Sequence, residues 1–521
     1  MPKRAVGNRE AAVPNEDMVS LDEAAGVLGV SRSTLQRMLK QGNVRGFKVG
    51  RQWRFRRADL DKFGRMSHPS AAGVNVRELE ALAGSLNKHA PEGKAGKDVQ
   101  FESSPAGFPG AEEETAVDNL LKALLAAGVR DGASDIHLDP ARDITNIRLR
   151  LDGVLHPVME LPRSAHKPLI VSIKQHAEMA LDQDQIAQDG RFRFTLDGVE
   201  HDARIATLPV VYGESVVMRL LVQAAELPTL ESPALGMNPT DLERVKRLVH
   251  LPCGLILVAG PSGCGKTTLL YAALNHVLSP EIKTISIEDP VEFAFGHWAT
   301  QAAVNVKAGF TFEQAARAVA RHDPDVILIG DLRTLPVADT ATRLTMTGHL
   351  VMSVLHAGSA TGAIWRLLEM GVEPFALSES LICLVSMRLV RKVCAECGAP
   401  DQPSYSVLSP LVERAKIGGY ELPDSPRFMR GAGCSACRNR CLHGRTAIYE
   451  VMEVTPEIKR LIGARASAEA IRDAAVRAGM TTLAADGLRK AAEGITTIAE
   501  IARLLPTDLD AAPGAAERAG T

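Results

Sequence analysis

Residues 260–267 read Gly260-Pro261-Ser262-Gly263-Cys264-Gly265-Lys266-Thr267, preceded by the apolar run Leu255-Ile-Leu-Val-Ala259 and followed by a helical stretch from Thr268. Strand, glycine-rich loop, Lys-Thr and helix in that order form a complete G-x-x-x-x-G-K-T phosphate loop. The glycines let successive backbone N–H groups turn inward around phosphates at a helix N-terminus. Lys266 is placed to reach the β and γ oxygens, and the Thr267 hydroxyl to ligate Mg²⁺, with Thr268 continuing the same turn. The expectation is binding and hydrolysis of a nucleoside triphosphate on an α/β domain.

Two further strands run out into acids. Ile285-Ser-Ile-Glu288-Asp289-Pro-Val-Glu292 lies one βαβ step after the loop, and Val326-Ile-Leu-Ile-Gly330-Asp331 has the apolar-run-then-acid form of a Walker B strand. Carboxylates at strand C-termini face the nucleotide crevice of such sheets. One of them can orient or deprotonate an attacking water.

The chain has 521 residues, 45% of them hydrophobic, and a net charge of −2. That length implies three or four domains, and the balanced charge excludes a polyanion-binding or acidic molecule as a whole. No apolar run reaches the roughly 18 residues of a membrane span, and the start lacks a signal-like stretch, so a cytoplasmic protein is expected. Charge is lopsided only at the front. Residues 18–66 open with a Ser20/Glu23 capping box, continue through Gly29-Val-Ser31-Arg32-Ser33-Thr-Leu35-Gln36-Arg37-Met-Leu39 as a turn and second helix, and alternate like a wing from Phe47 to Arg57. Eleven Lys or Arg stand against Asp59 and Asp61 between residues 30 and 65.

Organisation along the chain reads as a disordered tail over 1–17, a helix-turn-helix unit over 18–66, a flexible linker over 67–115, an α+β domain over 116–228, the nucleotide-binding domain over 229–505 and a disordered tail over 506–521. Four of the eight cysteines form Cys394-x-x-Cys397 and Cys434-x-x-Cys437 within an insertion at 394–445. Paired turns of this kind aim four thiolates at one tetrahedral Zn²⁺, with no open position for catalysis. Cys441 is a spare thiol nearby.

The loop, Glu288-Asp-Pro-Val-Glu292, Asp323-Pro-Asp-Val-Ile-Leu-Ile-Gly330, Thr347-Gly-His349-Leu-Val and Leu355-His356-Ala together resemble the type II secretion and type IV pilus assembly ATPases. Ala133-Ser-Asp-Ile-His-Leu138, Gln188-Asp-Gly-Arg191, Arg204-Ile-Ala-Thr-Leu-Pro209 and Gly213–Leu221 are similar to the domain that precedes the motor in that family, and Ala478–Leu483 fits downstream. The resemblance implies a RecA-like P-loop core behind an α+β domain, ATP and Mg²⁺ as cofactors beside the Zn²⁺, and a homo-hexamer. It also implies inner-membrane secretion or pilus platform proteins as partners, with peripheral association at that membrane. It puts the general base on Glu292, support for magnesium and water on Glu288 and Asp289, phosphate contacts on Arg204, Arg219, Arg317 and Arg321, and the histidine box on His349 and His356.

Several positions depart from the family pattern. Asp331 stands where Glu is usual, which withdraws the carboxylate by roughly 1.5 Å. Gln185 replaces Arg, Cys441-Leu442 replaces Gly-Tyr, and Cys264 replaces Ser at a helix N-terminus, where the leading reading is a small, inert substitution and the rival a thiol of lowered pKa that gates by redox. The front end departs most, since residues 18–66 resemble an excisionase- or MerR-type winged helix-turn-helix. Ser31, Arg32, Ser33, Gln36 and Arg37 would face base edges, and Lys48, Arg51, Arg54 and Arg56 phosphates, although such folds also dock proteins. The leading expectation is a motor ATPase; a nucleotide-gated DNA-binding regulator and a DNA-translocating relative are the rivals.

Overall fold

The computed structural model describes residues 18–27, 35, 39, 44, 46–49, 52–57, 60, 76–87, 99–101, 111–222 and 227–505. Ser31, Arg32, Ser33, Gln36, Arg37 and Arg51, and the two tails, lie outside the described residues. The chain divides into two compact units, residues 1–223 and 224–521.

The first unit opens with β1 (Met18–Ser20), the helix Leu21–Val27, β2 (Phe47–Val49) and β3 (Gln52–Arg56), arranged as a small sheet in the order β1-β3-β2. The capping box forms reciprocally: the Ser20 amide donates to Glu23 Oε2 at 2.8 Å and the Glu23 amide to Ser20 Oγ at 3.3 Å. Leu35, Phe55 and Leu60 are buried around it, with Leu39 packed alongside. Strand alternation divides the wing cations. Arg54 registers with Phe47, while Lys48 registers with Trp53, so Arg54 and Arg56 share one face and Lys48 lies on the other. The wing cations expected to contact phosphates are thus divided between the two faces of the hairpin, because neighbours along a strand point to opposite sides.

A larger sheet follows: β4 (Gln100–Phe101), β5 (Ala133–Pro140), β6 (Ile144–Leu151), β7 (Val154–Pro162), β8 (Gln188–Leu196), β9 (Val199–Val210) and β10 (Gly213–Val222), in the order β4-β8-β9-β10-β5-β6-β7. The stretch 67–115, expected to be a flexible linker, contains the helix Val76–Asn87 and strand β4. Leu79 and Ala83 of that helix enter the core formed with Leu120, Leu121 and Leu124 of the helix Ala111–Arg130. The Arg130 guanidinium donates to the Leu86 carbonyl at 3.2 Å. Its apolar positions recur at helical spacing but are few, and so were hidden among Gly, Ser and Glu.

The second unit is built on β11 (Gly254–Ala259), β12 (Thr284–Glu288), β13 (Ala299–Ala303), β14 (Val326–Ile329), β15 (Leu350–Leu355), β16 (Leu381–Val393) and, beyond the two-stranded β17 (Gly398–Pro400) and β18 (Met429–Gly431), β19 (Leu442–Glu453). The sheet order is β13-β12-β14-β15-β11-β16-β19, parallel throughout except for the β16–β19 pair. Helices cover both faces, which is why its central strands are continuous apolar runs. Leu255, Leu257 and Ala259 enter one core, and Ile256 and Val258 the other. Among the described residues, no helix is long and apolar enough to cross a membrane.

Candidate active site

Parallel strands deliver their carboxyl ends to one edge. Ala259 registers with Leu355, Ile329 with Ser353, and Ile287 with Ile329, so the loop 260–267, Glu288, Asp331 and His356 all emerge together. Two glycines shape the loop. A Cβ on Gly260 would lie 2.8 Å from the Met387 carbonyl oxygen, and Gly265 caps the helix Lys266–Val277 at φ 94°, a left-handed conformation. Pro261, Ser262, Gly263 and Thr268 are exposed and Thr267 is half-buried, which leaves the mouth of the loop and its hydroxyls open to a ligand.

Lys266 is buried, and its ammonium donates to the carbonyls of Gly260 at 2.9 Å and Pro261 at 2.8 Å. Burial draws its pKa down, while Cys264 and Asp331 pull it up. Asp331 is buried too; its Oδ2 accepts from Arg333 Nε at 2.8 Å and lies 3.6 Å from His356 Nε2. Burial, aided by the positive Lys266, holds His356 below its ordinary value, against the pull of Asp331. Cys264 packs within the loop. It is 4% exposed, and burial pushes its thiol up rather than down, so it is a protonated packing residue.

Glu288 ends β12. Its side chain is buried and accepts from the Tyr271 hydroxyl, the Ser286 hydroxyl and, at 3.1 Å, the Gln301 amide. Three donors from its own core hydrogen-bond to its two oxygens. Burial and the neighbouring Glu288 carboxylate together push the Tyr271 phenol well up, so it stays a donor. Asp289 and Glu292 are exposed on the segment that follows β12.

The structure does not bring His349 to the loop. It precedes β15, and its backbone carbonyl accepts from the Gly254 amide at the amino end of β11. Seven residue steps of extended chain at about 3.3 Å each put it about 23 Å from His356. Its ring lies 2.8 Å from the Leu344 carbonyl instead. A sequence box that spans a whole strand necessarily splits its two ends between opposite sheet edges. Arg317 and Arg321 are exposed on and just beyond the helix Phe312–Val319, which leads back toward the amino end of β14. In the first unit, Arg204 and Arg219 are cross-strand partners, with Arg191 beside Arg204 and Asp135 beside Arg219. Arg219 Nε donates to Asp135 Oδ1 at 2.9 Å.

The cysteines converge. Their four sulfurs lie within 4.8 Å of one another, with Cys394–Cys434 at 3.8 Å and Cys397–Cys437 and Cys434–Cys437 at 3.7 Å. Zn–S bonds of about 2.3 Å in a tetrahedron put sulfurs about 3.8 Å apart, so the residues fit a structural zinc. Cys441 contributes its carbonyl, which accepts from the Cys394 amide at 3.2 Å. Arg388, which opens the family-like stretch Arg388–Cys394 but has no site role by sequence reasoning, is buried, and its guanidinium bridges the Met387 carbonyl at 2.8 Å and the Gly358 carbonyl at 2.6 Å, behind the phosphate loop. Tyr271 and Gln301 were missed by sequence reasoning. A phenol within the apolar helix run Leu269–Leu274 was the one available signal.

This fold and this site define a P-loop ATPase. Residues 110–503 match the family model described as "Type II/IV secretion system protein", and residues 18–65 match a "Helix-turn-helix domain" model. The chain is 40% identical over 390 residues to the type IV pilus assembly ATPase PilB of Thermus thermophilus, covering 75% of this chain but only 43% of that protein. It is 36% identical over 395 residues to the type II secretion system ATPase E of Vibrio cholerae, covering 76% of each. The X-ray structure of the Legionella pneumophila ATPase DotB matches with a TM-score of 0.53 at 16% identity, over 77% of this chain and 97% of that one, which is a likeness of fold. The chain belongs to the type II/IV secretion system protein family.

Proposed function

We propose that the protein is a homo-hexameric motor that hydrolyses ATP to drive assembly of a type IV pilus or a type II secretion pseudopilus, working at the cytoplasmic face of the inner membrane against platform proteins. The observation that carries this reading is the convergence of the phosphate loop, Asp331 and His356 on one sheet edge, in a chain of this family. Lys266 and the loop amides hold the triphosphate, and Thr267 with Asp289 hold magnesium, which neutralises charge on the phosphate oxygens when bound. Glu292 takes the proton of an in-line water, and Asp331 orients that water. Arg317 and Arg321 supply positive charge to the transferring oxygens. Catalysis is positioning and charge stabilisation rather than covalent chemistry. The test is steady-state ATPase of the assembled protein with Glu292→Gln: turnover should fall by about 100-fold or more with ATP affinity retained, and turnover unchanged in the mutant rejects the base assignment.

A second reading, a nucleotide-gated DNA-binding regulator, is favoured by the basic front unit and its helix-turn-helix match. It predicts salt-dependent DNA binding by the full chain that shifts when ATP is added; an absence of DNA binding at low salt removes it.

A further inference from the structure

Glu292 lies on a segment without regular secondary structure between β12 and β13. The residues that follow it, Phe293 and Phe295, are held by one side chain. Gln301, on β13, accepts from the Phe295 amide through Oε1 at 2.9 Å and donates from Nε2 to the Phe293 carbonyl at 2.9 Å. The same Nε2 donates to Glu288 Oε1 at 3.1 Å. The amide's acceptor and both of its donors are thus each committed, in the only orientation that serves a carbonyl, an N–H and a carboxylate together.

Tyr271 completes the clamp from the helix that follows the phosphate loop. Its hydroxyl donates to Glu288, its ring stacks on Phe295 with centroids 4.7 Å apart at 17°, and it meets Phe293 edge-on at 5.3 Å. The Glu288 carboxylate therefore anchors two groups, Gln301 and Tyr271, that tie the end of β12 to Phe293 and Phe295 and so close the short loop that carries Glu292. Tyr271 belongs to the helix that begins at Lys266.

We propose that Gln301 is a positioning residue for ATP hydrolysis, which sets the place of Glu292 relative to the phosphate loop through the chain Tyr271–Glu288–Gln301–Phe293/Phe295. This rests on Glu292 being the general base. Catalytic carboxylates tolerate little displacement, and about 1 Å of misplacement can cost on the order of 100-fold in rate. A clamp acting only on the base leaves ground-state nucleotide binding to Lys266 and the loop.

The experiment compares kcat, KM and the Kd for a fluorescent ATP analogue in the full-length, assembled protein for Gln301→Ala, Gln301→Asn, Glu292→Gln and the Gln301→Ala/Glu292→Gln double variant. Gln301→Ala should lower kcat by about 10- to 100-fold with Kd within about threefold of the native value. Gln301→Asn, which keeps the amide but shortens its reach, should lower kcat as well. In the Glu292→Gln background the same change should cost no further rate, because the residue acts through the base already removed. A Gln301→Ala protein that still binds the analogue and turns over within twofold of native overturns the inference, and so does a full additional loss in the double variant. If Gln301→Ala loses nucleotide binding, Gln301→Asn decides by the same criteria, and loss of binding there too marks a structural residue and overturns the proposal. Failure of the base assignment shows separately, as Glu292→Gln retaining turnover.

Discussion

The Oδ2 of Asp331 accepts a hydrogen bond of 2.8 Å from Nε of Arg333, two residues further along the same strand exit. A buried acid at the Walker B position is thereby oriented by a local cation, with His356 on its other side at 3.6 Å and Lys266 near enough to feel its charge. Asp331→Asn removes that charge while conserving volume. It should lower kcat by about 10- to 100-fold and change ATP affinity by no more than a few-fold, as an interaction used mainly in the transition state does. Single-turnover hydrolysis alongside equilibrium binding separates the two effects.

The four thiolates should hold about one zinc per chain. The segment between the cysteine pairs carries only short strands and a helix, Tyr405–Ile417, with two buried residues, Leu411 and Ala415. Chelation, or Cys437→Ser, should therefore lower the melting temperature and release zinc in the same samples. A melting profile indifferent to chelator, with no zinc by metal analysis, counts against the site.

Acid sensitivity should have one large local source. Glu500 receives hydrogen bonds from Arg391 Nη2 at 2.7 Å and Arg503 Nε at 2.9 Å. Burial alone would raise its pKa, but the hydrogen bonds from Arg503 and Arg391 outweigh it and hold the carboxyl at about 2. The folded value is below the unfolded one, so the stabilisation is complete above about pH 4.5 and is lost as pH falls toward 2. That shift corresponds to about 3 kcal/mol. Thermal melts should show Glu500→Gln well below native at pH 7, with the gap narrowing as pH drops through this window.

If the front unit contacts DNA, the wing should act through one face. Arg54→Ala should reduce the slope of log K against log salt by about 1, the signature of a lost phosphate contact. Arg56, whose guanidinium stacks on Phe47 at 4.9 Å, shares that face. Lys48→Ala, on the opposite side of the hairpin, should leave the slope nearly unchanged. Equal effects of Arg54→Ala and Lys48→Ala contradict the assignment of faces.

The sequence by itself determined whatever is encoded by neighbours in the chain. The phosphate loop, the Ser20/Glu23 cap, the apolar runs of the buried strands and the two C-x-x-C turns are each local patterns, and each is found in the structure where it was read. Only the tertiary structure decided which side chains pack against each acid. Glu288 and Asp331 have the same strand-then-acid signature, yet Tyr271 and Gln301, 17 and 13 residues away in sequence, claim Glu288. The separation of His349 from His356 and of Lys48 from Arg54 followed equally from strand length and strand alternation. A side chain's availability for chemistry depends on the donors and charges packed around it, and in a parallel sheet those neighbours arrive through crossovers that no local pattern records.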